Sequence, residues 1–203
     1  PGFAVVAAKA RLHLFPEPGQ PRKMRITGPV SAQLTQLDNP LLSFLFGGLP
    51  SGTASIVRTP DGTIRFADAT VRGPDMTLSG KGIYRLGQQI AFTAAGTQRR
   101  FGTVATELSG DIAQPAAEIL VDEYRLGLPL RKIRGSFLPF DGGYEFSAAG
   151  ETPLGPIETQ GAVLSGDDTR YRFDLIDLAG IRAAGVLKPS GGVPVDGTLS
   201  LAG

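Results

Sequence analysis

Polar and apolar residues alternate in short stretches along most of the chain. Thr63-Ile64-Arg65-Phe66, Met76-Thr77-Leu78-Ser79 and Ile90-Ala91-Phe92-Thr93-Ala94 keep a period of two. Val104-Ala105-Thr106-Glu107-Leu108-Ser109, Tyr144-Glu145-Phe146-Ser147 and Tyr171-Arg172-Phe173-Asp174-Leu175 do the same. Successive side chains of a strand point to opposite faces, so this period predicts strands with one apolar and one polar face. Turn signals fall between them: Pro60-Asp61-Gly62, Gly73-Pro74-Asp75, Leu86-Gly87-Gln88, Asp141-Gly142-Gly143 and Gly166-Asp167-Asp168. Strands joined by such short turns predict an antiparallel meander.

One stretch breaks the period. LDNPLLSFLFGGLP offers Asp38 or Asn39 as a helix cap, Pro40 at the first helical position and Gly47-Gly48 as a stop. Its Leu41, Leu42, Phe44, Leu45 and Phe46 make it apolar nearly all round. Such a helix is buried, or it covers an apolar surface as a lid or plug.

A polar-Gly-x-apolar phrase recurs at Gly28, Gly52, Gly80, Gly110, Gly135, Gly161 and Gly185, at separations of 24, 28, 30, 25, 26 and 24 residues. That is about one hairpin of two ten-residue strands with its turns. Glycine inside a strand marks a tight bend or a close backbone approach. Gly80 and Gly82, in MTLSGKGIYR, therefore read as members of this series. A phosphate-binding loop needs four residues between its glycines and a hydroxyl after the lysine. Here six residues separate Gly73 from Gly80, Gly82 follows Lys81, and Arg85 stands where a dinucleotide fingerprint needs glycine.

Composition agrees with a strand-rich chain. Its 203 residues include 28 glycines and 16 prolines; 41% are hydrophobic and 19% charged. The net charge of +1 argues against a general nucleic-acid binder. The absence of cysteine excludes disulfides, thiol nucleophiles and thiolate metal sites. His13 is the single histidine and lacks the context of a triad or a zinc site, so it reads as structural. Asp122-Glu123 and Asp167-Asp168 lack the spacing of a calcium loop and are expected at turns. Arg99 and Arg100, and Arg131, Lys132 and Arg134, read as a solvated edge that discourages strand pairing, with lipid phosphate at a rim as the alternative. No nucleophile, base and orienting group occur together, so no enzyme and no cofactor are expected. The chain begins PGFAVV and ends GTLSLAG in mid-pattern, which reads as a segment of a longer protein.

The expected fold is all-β: one long antiparallel meander over residues 1–203, curled into an open U-shaped groove. It carries one short apolar helix near residues 39–47 and a possible sub-boundary near 38–52. About fourteen strands at roughly 4.8 Å would make a trough about 65 Å long. The residues expected to face inward are Ile64, Phe66, Met76, Leu78, Ile90, Phe92, Val104, Leu108, Ile112, Ile133, Phe137, Tyr144, Phe146, Ile157, Val163, Phe173, Leu175, Ile181 and Leu199. Their neighbours Arg65, Glu107, Arg134, Glu145, Glu158, Arg172, Asp174 and Arg182 would face solvent. An apolar trough suits a lipid acyl chain, which gains about 0.8 kcal/mol for each CH₂ removed from water. A closed sandwich or barrel would bury the same residues in a dry core.

The phrases ADATVRGPDMTLSGKGIYRLG (67–87), TELSGDIAQPAAEILVD (106–122) and PVDGTLSLAG (194–203) resemble the TamB/AsmA-like superfamily of periplasmic proteins of Gram-negative bacteria. The resemblance covers the chain from about residue 50 onward and carries over no individual residue. It implies a repeating β-groove, or β-taco, that spans the periplasm from an inner-membrane anchor. It also implies phospholipid movement toward the outer membrane and an outer-membrane assembly partner reached through regions outside this segment. A carbohydrate- or protein-binding module, and a factor that donates strand edges to nascent outer-membrane proteins, are the rival readings.

Overall fold

A computed structural model describes residues 4–37, 40–85, 87, 89–124, 129–164, 169–190 and 193–202. The first strands are β1 (Ala4–Ala10), β2 (His13–Glu17) and β3 (Gln20–Leu37), followed by α1 (Pro40–Phe46). Then come β4 (Ser51–Arg58), β5 (Ile64–Arg72), β6 (Met76–Arg85), β7 (Gln89–Gln98) and β8 (Gly102–Asp111). The remainder is β9 (Ala116–Tyr124), β10 (Leu130–Phe140), β11 (Gly143–Thr152), β12 (Gly155–Leu164), β13 (Arg170–Leu178), β14 (Ile181–Ser190) and β15 (Val193–Ala202). All belong to one 15-stranded sheet in the order β1-β3-β4 and then sequentially to β15, with β2 paired to β3 off this path. The fold is thus all-β, a long antiparallel meander that does not close into a barrel.

The chain forms two compact units, Pro1–Gln98 with Glu107–Pro115, and Arg99–Thr106 with Ala116–Gly203. In the first unit α1 links β3 to β4. Pro40 opens the helix and Gly47, at φ 70°, ends it, its N–H bonded to Ser43 O at 2.9 Å. The helix end docks on the β5–β6 turn: Asp75 N–H donates to Phe46 O at 2.9 Å, and a Cβ on Gly73 would lie 2.6 Å from that same oxygen. Gln98, at the end of β7 and 2% exposed, donates from Nε2 to Leu45 O at 3.1 Å. Phe44, Leu45 and Phe46 are half-buried, so α1 caps the sheet at one end of its strands. The cap residues Asp38 and Asn39, the side chains of Leu41 and Leu42, Leu86 and Gln88 of one turn, and all of Gly166-Asp167-Asp168 lie outside the described residues.

The other expected turns form. Asp61 organises the β4–β5 turn by accepting from Thr59 Oγ1 (2.5 Å), Thr63 N–H (3.1 Å) and Thr63 Oγ1 (3.0 Å). Gly142 holds φ 97° between β10 and β11. Ala179 and Gly180, at φ 52° and 91°, make the two-residue hairpin between β13 and β14, the arrangement that matches strand twist. Two expectations are corrected. Asp122 and Glu123 lie within β9 and not in a turn. The Arg131-Lys132-Arg134 cluster lies on β10, which is paired on both sides, so it guards no edge. Two of its charges are partnered instead, Lys132 with Glu151 at 3.0 Å and Arg131 with Glu123 at 3.9 Å.

Candidate functional site: an apolar sheet face

Cross-strand partners in an antiparallel ladder share a face, so the register sorts the side chains of the strands it pairs. In the first unit one face carries Ile26, Val30, Ala32 and Leu34 from β3, and Gly52, Ala54 and Ile56 from β4. It continues with Ile64, Phe66, Ala69 and Val71 from β5. Met76, Leu78, Gly80, Gly82 and Tyr84 follow from β6, and Ile90, Phe92, Ala94, Gly96 and Gln98 from β7. The other face carries Ser51, Thr53, Ser55, Arg65, Thr70, Arg72, Thr77, Ser79, Lys81, Thr93 and Thr97. Arg58, paired with Ile64 at a strand end, is a charge on the apolar side.

The second unit repeats the segregation. Ile119 and Val121 share a face with Ile133, Gly135 and Phe137. Tyr144, Phe146 and Ala148 join them from β11, and Ile157, Thr159, Gly161 and Val163 from β12. Tyr171, Phe173, Ile176 and Leu178 follow, then Ile181, Ala183, Gly185 and Leu187, and finally Leu199 and Leu201. The reverse face holds Glu118, Arg134, Glu145, Glu158, Arg172, Asp177 and Arg182.

Most of the residues expected to face inward do share these faces. Val104, 6% exposed, and half-buried Leu108 lie on β8. Two do not fit. Ile112 lies beyond the end of β8 and is 54% exposed. Leu175 sits at a bulge: Phe173 pairs with Gly161 but Leu175 pairs with Gln160, on the reverse face. An extra residue in one strand shifts all later positions, so Ile176 and Leu178 take the apolar side in its place. The bulge at Asp68, φ 51°, does the same for Ala69 and Val71. Ile26, Val30 and Leu34 of β3, and Ile119 and Val121 of β9, also lie on these faces, and their alternation is the sequence signal for them. Ile181 and Leu199, though on the apolar face, are 64% and 42% exposed.

The apolar faces are not sealed. Among the described residues the buried hydrophobic side chains are Ala69, Met76, Ala94 and Val104, with Ala162 on the reverse face. Phe66, Phe92, Phe137, Phe146 and Phe173 are all only half-buried. The accessible area of the chain is 12906 Å², against roughly 9,100 Å² for a globular protein of its 21.2 kDa mass. One row across the second unit shows how the face is built: Phe137, Phe146, Gly161, Phe173, Gly185, Leu199. The rings of Phe146 and Phe173 meet edge-on over Gly161, 5.4 Å between centroids, and Phe137 lies 6.4 Å from Phe146. A Cβ on Gly161 would fall on the carbonyl oxygen of Arg172. Gly80 meets Thr93 O in the same way, so these strands approach their neighbours more closely than any other residue permits.

The electrostatics follow the faces. Desolvation raises the Tyr144 phenol above its usual value, consistent with its apolar surroundings. On the reverse side the Asp177 carboxyl is lowered, first by its hydrogen bond from Arg182 (3.1 Å) and then by the Gly180 N–H (2.9 Å). Asp61 is lowered to about 2, chiefly by the Thr59 hydroxyl. His13 is exposed on β2, its ring 6.4 Å from Phe15. Among the described residues no three His, Asp or Glu side chains gather to hold a metal ion, and no helix is long and apolar enough to cross a membrane. Comparison with known family models, curated proteins and solved structures finds no match.

Proposed function

We propose that this chain holds and conducts lipid acyl chains along its apolar sheet face, as part of a periplasmic protein of the AsmA-like, TamB-related kind. One observation carries the reading: in each unit an apolar face runs from strand to strand, and Phe66 and Phe92 on the first face and Phe137, Phe146 and Phe173 on the second remain half-buried. A surface of that kind accepts methylene groups without directional bonds. The head group stays in solvent, and no covalent chemistry is required. Inward charge would act as a barrier, and along β11, β12 and β13 the register keeps Glu145, Glu158, Arg172 and Asp177 on the reverse face. Phospholipid is the expected partner, passing between inner and outer membrane. A sealed binding module is disfavoured by the same half-buried rings.

The test is photocrosslinking in a Gram-negative cell with a probe at Phe92 or at Thr93. These neighbours lie on opposite faces of β7. Phospholipid captured from Phe92 and not from Thr93 is the expected result. Crosslinks from Phe92 to the chain's own strands alone would reject it.

A further inference from the structure

Ile83 lies on the polar face of the first unit and is 38% exposed. Its nearest positions on that face are Arg65 across on β5, Ala91 across on β7, and Lys81 and Arg85 two residues away along β6. Three of the four are cations, and all three are exposed. None is held in an ion pair or hydrogen bond among the described residues. The second unit differs: there Arg131, Lys132, Arg172 and Arg182 are paired with Glu123, Glu151, Asp174 and Asp177. Asp68, at the β5 bulge, is the carboxylate on the strands flanking the cluster.

We propose that this face docks on an anionic membrane surface, with Ile83 entering the headgroup boundary and Arg65, Lys81 and Arg85 meeting lipid phosphates. The cations supply the charge complementarity, and the apolar centre selects the kind of anion. Val57, Arg65, Ile83 and Ala91 form one cross-strand row, so aliphatic surface runs through the cluster. A bilayer surface rewards aliphatic side chains beneath a cationic rim. A single-stranded nucleic acid would call for aromatic stacking platforms, and this row has none. The surface is opposite to the one proposed for acyl chains, and the inference stands without that reading.

The test is sedimentation of the whole chain with vesicles of phosphatidylcholine alone or mixed with phosphatidylglycerol. Binding should need the anionic lipid and weaken as salt rises. Each cation near such a surface contributes about fivefold in affinity, so the combined Arg65→Gln, Lys81→Gln, Arg85→Gln variant should lose roughly a hundredfold. Lys81→Gln alone should lose about fivefold, which guards against misfolding of the triple variant. Ile83→Ser should weaken binding, while Phe92→Ser, on the other face, should leave it intact even where it abolishes acyl capture. Equal binding to neutral and anionic vesicles, no binding, or full binding by the triple variant would overturn the proposal. So would binding to heparin with none to anionic vesicles, which would assign the face to a soluble polyanion.

Discussion

Gly161 and Gly135 belong to the same recurring phrase, yet their surroundings differ. A methyl on Gly161 would strike Arg172 O and come within 2.9 Å of Phe146 Cζ, whereas on Gly135 its nearest neighbour would be Phe137 Cε2 at 3.7 Å. Gly161→Ala should therefore cost about 3 kcal/mol and Gly135→Ala less than about 0.5 kcal/mol, read from urea unfolding. The repeat was visible in the sequence because the spacing of glycines is visible. Which glycines are irreplaceable was not, because that depends on how closely a neighbouring strand approaches. Asp61 gives a second residue-level expectation. Its carboxylate is favoured in the folded chain, so the stabilisation is full above pH about 4 and is lost as pH falls through about 2. An NMR titration should place its midpoint near 2, and Thr59→Val should move that midpoint back up toward the ordinary value of 3.8.

At the scale of elements, α1 was marked by Pro40 and Gly47-Gly48, but its docking was not. Gln98 reads as an ordinary polar residue at the end of a strand. It is buried because its side chain reaches the Leu45 carbonyl, 53 positions away in the chain. Gln98→Ala should cost about 1–2 kcal/mol and speed amide exchange in α1, while the strands distant from the helix keep their protection. The bulges set the other limit. Alternation placed Phe173 correctly and Leu175 wrongly, since a period of two has no means of recording an inserted residue. Lys132, at φ 51° where β10 changes register against β11, is another such insertion. Most of the candidate face was legible because strands without bulges preserve their parity from end to end.

At the scale of the molecule, an unsealed face changes the energetics of unfolding. An unfolded chain of this mass exposes about 30,700 Å². Starting from 12906 Å², unfolding uncovers about a sixth less new surface than it would from a globular protein. The urea m-value should be lower by the same fraction, and a value typical of a globular domain of 203 residues would indicate that the face is covered in solution.

The neighbour-by-neighbour strand order has a kinetic consequence. Apart from β1 with β3, each strand on the path pairs with those just before and after it in the chain. Every ladder therefore closes a short loop, and the entropic cost of each addition is small. Such a sheet grows one strand at a time on an existing edge, as repeat arrays do. A polypeptide threaded through a narrow channel can begin folding on whatever length has emerged, with no wait for a distant partner.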